Sequence, residues 1–177
     1  AGFRHETRVL ISMTDLIAGR YELRARISKG GMGAVWRARD RRLRRDVAVK
    51  LLHAWIAEDL ELRRRFAGEA RVLAPLEHEH IVRLYDYGED GETPFLVMEL
   101  VEGANLGDVA RNRAFTWEQA AEIALPIASA LAYAHARGIV HRDLTPGNVL
   151  IERATGRVVV SDFGLARLAR SSTSVTT

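Results

Sequence analysis

Between Tyr21 and Leu52 apolar and polar residues alternate at a spacing of two. The alternation is broken by the glycines Gly30, Gly31 and Gly33 and by an arginine-rich stretch near Arg41. Period-two alternation interrupted by turn residues marks consecutive antiparallel strands, so this stretch predicts three of them. Residues 59–76 place Leu62, Phe66, Ala70 and Leu73 three and four apart, which predicts an amphipathic helix ending near Pro75. Two further strands are expected over residues 81–87 and 94–100, parted by a turn at 88–92. Five antiparallel strands and one helix form a compact α+β unit.

The pattern changes after residues 101–103. Helical spacing dominates residues 105–137, with Thr116 as N-cap and Gly138 as stop signal, and this predicts a second lobe. Short strands over 149–152 and 157–160 bracket a turn at Thr155 and Gly156, and residues 170–177 are almost all serine and threonine. A chain of 177 residues can bury roughly 70% of its unfolded surface, and 47% apolar with 28% charged residues is ordinary for a globular protein. No apolar run reaches the length of about 18 residues that suggests a membrane span; the alanine-rich stretch 120–136 carries Glu122 and Pro126.

The absence of cysteine rules out disulfides and thiolate metal sites and suits a cytoplasmic location. The first residues lack the apolar core of a secretory signal, and Met13 is the expected native start, with residues 1–15 a disordered extension. The net charge of +3 rests on arginine, since only Lys29 and Lys50 are lysine. The basic clusters at 39–45 and 63–65 are interrupted by Asp40, Leu43 and Asp46 or followed by Phe66. They read as solvated faces, and no nucleic-acid partner is expected.

Four short motifs carry chemistry. Residues 27–35 (Ile27, Ser28, Lys29, Gly30, Gly31, Met32, Gly33, Ala34, Val35) form a glycine-rich turn between two strands, where missing Cβ atoms let backbone amides approach phosphate oxygens. Val47-Ala48-Val49-Lys50 puts Ala48 and Lys50 on one strand face, and a lysine in an arginine-rich chain suggests a need for a compact ammonium. Glu69, on the following helix, is the carboxylate placed to orient it. His141-Arg142-Asp143-Leu144-Thr145-Pro146-Gly147-Asn148 is a loop offering a carboxylate to receive a hydroxyl proton and an amide oxygen for a divalent cation. Asp162-Phe163-Gly164 offers a second hard oxygen ligand at a strand end.

In this order and on these elements, the four motifs resemble a bacterial Hanks-type serine/threonine protein kinase, over about residues 16–169. The resemblance implies a protein-kinase-like two-lobed α+β fold. Its N-lobe (16–100) is a five-stranded antiparallel sheet with one helix, joined by a hinge (101–103) to an incomplete, mainly helical C-lobe (104–169) and the start of an activation segment (170–177). It implies ATP and Mg2+ or Mn2+ as cofactors and protein substrates as partners, with self-association or an activating kinase in addition.

By that resemblance residues 27–35 cover the ATP phosphates, Lys50 holds the α and β phosphates, and Glu69 pairs with Lys50. Asp143 is the catalytic base, and Asn148 and Asp162 hold the metal. Met98 gates the adenine pocket, the backbone of Glu99 and Val101 faces the adenine edge, and Ile27, Val35, Ala48 and Leu150 sandwich the ring. Leu73, Leu84, His141 and Phe163 stack as an apolar column.

Two residues depart from the pattern. Ser28 stands where the family usually has its first loop glycine, which implies weakened ATP affinity. Thr145, counted with the catalytic set, replaces a usual lysine and removes a positive charge near the transferred phosphoryl. The resemblance also implies that the substrate platform beyond residue 177 is missing, leaving the stripe Ile123, Ile127 and Leu131 exposed and the chain prone to self-association. Ser171, Ser172, Thr173, Ser174, Thr176 and Thr177 are candidate phosphorylation sites, with Arg142 as a pairing cation. A nucleotide-binding, non-catalytic signalling module and, less favoured, a small-molecule kinase stand as the alternatives.

Overall fold

The computed structural model describes residues 16–30, 33–53 and 59–163. The expectations for residues 1–15, Gly31, Met32, Gly164 and 170–177 lie outside these. Among the described residues the chain forms two sheets. The first contains β1 (Leu16–Ile17), β2 (Tyr21–Gly30), β3 (Gly33–Asp40), β4 (Arg45–Leu52), β5 (Leu84–Asp90) and β6 (Thr93–Met98), in the order β1-β2-β3-β4-β6-β5. All its neighbours pair antiparallel. The sheet therefore has six strands rather than five; β1, two residues long, is too short to show alternation.

Helix α1 (Leu60–Leu73) packs on this sheet. Asp59 caps it by accepting from the amides of Glu61 and Leu62, and it stops at Ala74, one residue before Pro75, whose ring disfavours a helical predecessor. Its buried face, Leu62, Phe66 and Ala70, meets Leu52 and Leu96 of the sheet. A helix of this length is marginal alone in water, whereas each large apolar side chain that it buries contributes about 1.5–3 kcal/mol, so the sheet decides its stability. The opposite sheet face carries its own core, built on Tyr21, Leu23, Val47, Val49, Phe95 and Val97.

The strand expected over 81–87 starts later, at Leu84, because the residues before it belong to the other lobe. Ile81 forms a parallel bridge to Val160, Val82 N donates to Val160 O at 2.9 Å, and Val160 N donates to His80 O at 2.8 Å.

The second lobe begins with β7 (Gly103–Asn105), followed by α2 (Leu106–Asn112), α3 (Trp117–His135), a 3-10 turn (Pro146–Asn148), β8 (Val149–Glu152) and β9 (Val158–Val160). β7 pairs with β8, and β8 with β9. A Cβ on Gly103 would lie 1.9 Å from the Ile151 carbonyl oxygen, so this crossing requires glycine. Helix α3 opens on the expected N-cap Thr116, which also forms a capping box with Gln119.

One expectation is corrected here. Ile127 and Leu131 of the α3 stripe pack against the third core cluster, where Ala130 and Ala134 meet Ile81, Val160 and Phe163, and Ile123 is half-buried. These residues share the inward face by helical spacing. The large apolar residues that α3 does expose are Trp117 and Leu125.

Candidate active site

A cleft of about 310 Å3 separates the two sheets. Ile27 and Val35 from β2 and β3 and Ala48 from β4 form its roof, and Leu150 of β8 and Gly147 form its floor. Met98, Glu99 and Val101 form its back wall. The four residues assigned to the ring sandwich thus meet on one cavity, which strand register explains. Val35 lies opposite Lys50 and Ala48 opposite Met98, so the first sheet presents these to the cleft on one face, while Leu150 comes from the second sheet. Met98 also borders a second, small space with Leu73, Leu84, Asp162 and Phe163.

The two described loop glycines differ. Gly33, at φ +154°, would place a Cβ 2.0 Å from the Leu51 carbonyl oxygen, so the β3–β4 crossing demands glycine there. Gly30 has no atom within 4 Å of such a Cβ. The space above Gly30 is open to a ligand, and the imidazole of His53, which approaches the Gly30 carbonyl at 3.0 Å, steadies the strand end. Ser28 and Lys29 are exposed on β2, and Ala34 is half-buried.

Lys50 is almost sealed, with 9% of its side chain exposed, and its ammonium donates to Asp162 Oδ1 at 2.6 Å. A cation so buried needs a paired anion. The resemblance pairs Lys50 with Glu69; the pair formed here is that of Lys50 with Asp162. Glu69 sits half-buried on α1 beside the core residue Ala70.

The metal-binding candidates are brought together by the lower sheet. Val149 pairs with Val160, so the residues just outside that pair, Asn148 and Ser161, face each other. The Ser161 amide donates to Asn148 O at 2.8 Å, and its hydroxyl reaches the same oxygen at 3.2 Å. Asp162 follows at φ +59°, an uncommon conformation for a non-glycine residue that turns the chain sharply after β9. The Asn148 amide nitrogen donates to Asp143 O at 2.8 Å, which leaves its amide oxygen as the free acceptor.

An amide oxygen and a carboxylate oxygen, both hard donors, fit Mg2+ or Mn2+. Among the described residues no three acidic or histidine side chains cluster tightly enough to hold a metal alone.

Buried His141 suspends the loop that carries Asp143. Its Nε2 donates to Ser161 O at 2.8 Å and its Nδ1 accepts from the Asp143 amide at 3.3 Å, so the two contacts select one tautomer. The ring also packs on Phe163, with centroids 4.5 Å apart. Arg142 sits at φ +68°, and Asp143 follows it exposed. Thr145, also exposed, precedes the 3-10 turn without capping it.

Sequence reasoning missed Asn105 and Asp108, which line the cleft mouth. Asn105 caps α2 by accepting from the Asp108 amide at 2.8 Å, and its own amide donates to Asp108 Oδ2 at 2.7 Å. The Asn-x-x-Asp spacing of a helix start was the available signal.

Residues 21–177 match the model of the protein kinase domain family. A probable serine/threonine-protein kinase of Corynebacterium efficiens is 45% identical over 170 residues, 93% of this chain and 26% of that protein. PknA of Mycobacterium tuberculosis is 45% identical over 157 residues, 85% of this chain and 36% of PknA. The solved kinase domain of M. tuberculosis PknI is similar with a TM-score of 0.79 at 30% identity, covering 88% of this chain and 63% of that one. The chain thus spans 26% and 36% of the lengths of these two relatives. With the family model extending over nearly all of both lobes, the chain belongs to the protein kinase domain family.

Proposed function

We propose that this chain carries the nucleotide-binding and phosphoryl-transfer centre of a serine/threonine protein kinase, which moves the γ-phosphoryl of ATP to a protein hydroxyl. The observation that carries this reading is Asp162, which lines the cleft and pairs with nearly buried Lys50 at 2.6 Å, while the neighbouring Ser161 amide bonds Asn148, whose side chain in turn holds the Asp143 backbone. Lys50, Asp162 and Asn148 come from different segments, and a solvated surface has no need for such a meeting.

The apolar roof and floor suit an adenine ring, and the backbone of Glu99 and Val101 suits its polar edge. The Asp108 carboxylate, at the mouth, suits the ribose hydroxyls. Lys50 supplies positive charge to the phosphates; the pair with Asp162 keeps that charge compensated until phosphate oxygens offer a second acceptor. Asn148 and Asp162 would hold the divalent cation, which when bound neutralises phosphate charge. The hydroxyl oxygen forms its bond to the γ-phosphorus as the bond to the β-bridging oxygen breaks. Asp143 accepts the hydroxyl proton, and ADP leaves. Thr145 adds no cation beside the transferred group, so transfer is slow relative to a lysine-bearing site. A cytoplasmic location would give such a centre its ATP. Among the described residues no helix is long and apolar enough to cross a membrane.

The Lys50–Asp162 pair favours a second reading, a nucleotide-binding switch without transfer. Titration of Mg-ATP into the chain and into Lys50→Ala, Asp162→Ala and Asp143→Ala separates the two. Binding lost in the first two variants, with transfer to a generic protein lost in the third, supports the kinase. Binding without transfer supports the switch, and no binding overturns both.

A further inference from the structure

The outer face of the hinge holds a second cavity, of about 370 Å3, bordered by Glu79, Glu99 and Arg157. Glu99 also lines the cleft, so this residue is a partition between the two spaces. Arg157, just before β9, reaches it from outside. Its Nη2 donates to Glu99 Oε1 and, at 3.3 Å, to Glu152 Oε1, and its Nε donates to Glu152 Oε2 at 3.4 Å. Its Nη1 donates to the Glu79 carbonyl at 3.1 Å. One guanidinium, 26% exposed, thus joins three segments: the chain before β5, the residues that lead into the hinge, and the β8–β9 hairpin.

Glu99 is gripped at other atoms too. Its amide donates to Arg83 O at 2.9 Å, and its Oε2 accepts from the Arg83 amide at 3.4 Å. These contacts leave the Glu99 peptide little rotational freedom. The planar fork of arginine can serve several acceptors at fixed angles, which a lysine ammonium cannot reproduce.

We propose that Arg157 is a positioning residue for nucleobase selection. It acts through Glu99 to hold the hinge backbone edge in the orientation that accepts adenine and rejects guanine. The inference rests on the reading of the cleft as an ATP site. Edge recognition depends on donors and acceptors being held in place, because a mismatched base leaves buried polar groups unpaired. A loosened edge therefore loses discrimination, whereas the contacts to ribose and phosphate, made elsewhere, persist.

The test is calorimetric titration of Mg-ADP and Mg-GDP into the wild-type chain and into Arg157→Met, Arg157→Lys, Glu99→Ala and the Arg157→Met/Glu99→Ala double variant. Arg157→Met is expected to weaken ADP binding about tenfold, the equivalent of one altered charge-assisted contact, with GDP binding unchanged. Arg157→Lys should fall between, and the double variant should lose no more than the worse single one, since both act through one contact. Equal weakening of ADP and GDP, unchanged ADP binding, or additive losses would each overturn the proposal. Glu99→Ala tests the same link should Arg157→Met fail to fold: retained discrimination in it also overturns the proposal. Failure of the wild-type chain to bind ADP would instead refute the underlying nucleotide reading.

Discussion

Gly30 and Gly33 stand three residues apart in one turn, yet they are glycine for different reasons. At Gly33 the Leu51 carbonyl occupies the place of a Cβ and φ is positive, so Gly33→Ala should cost about 1–3 kcal/mol, read as a lowered Tm. At Gly30 nothing in the protein fills that place, so Gly30→Ala should leave Tm nearly unchanged while weakening Mg-ATP binding in calorimetry. A Gly30→Ala chain that binds normally would show that ligands do not approach there. The sequence presents the two glycines alike, because close strand approach and ligand approach both select a missing Cβ. The same limit applies to Lys50. Its place on β4 was legible from alternation, but its pairing with Asp162 spans more than a hundred residues and has no local trace.

Elements with local end signals were easiest to read. The capping box of α3 is written in Thr116 and Gln119, and Thr116→Ala should cost about 1 kcal/mol in thermal unfolding, with nucleotide affinity unchanged. The buried face of α1 was likewise visible in the spacing of Leu62, Phe66 and Ala70. Phe66→Ala should destabilise the chain by about 3–5 kcal/mol, read as a lower denaturant midpoint. What stayed hidden was pairing at a distance. β7 has three residues and no alternation, and it becomes a strand only because β8, more than forty residues later, offers it an edge. The direction of the α3 stripe was also misread, since periodicity identifies an apolar face but not the surface that it meets.

At the scale of the whole molecule, the first sheet curls until β2 and β5, which are not neighbours in it, are joined by side chains. The Tyr21 hydroxyl donates to Asp86 Oδ2 at 2.6 Å, while Arg20 spans Asp86 and buried Asp40. The hydrogen bond from Arg20 lowers the Asp40 carboxyl below its ordinary value. Burial, followed by the bond to Asp86, raises the Tyr21 phenol. Asp40 therefore contributes stability above the unfolded carboxyl value of about 3.9, and this is lost as pH falls through its folded value. Tyr21 contributes stability below the unfolded phenol value of about 10, and this is lost as pH rises beyond it. Tm measured across pH should show Asp40→Asn flattening the acid limb and Tyr21→Phe the alkaline limb. An unchanged acid limb in Asp40→Asn would place the acid-sensitive group elsewhere.

The residues around Ile81 precede the hinge in sequence, yet they hydrogen-bond to β9 of the second lobe. The lobes are therefore laced together along two separate lines, and a protease cut through residues 101–103 would not set them free. The nicked halves should travel as one particle until denaturant melts the lacing. Any motion of one lobe against the other must flex both lines at once, which makes the joint a torsion bar rather than a door hinge.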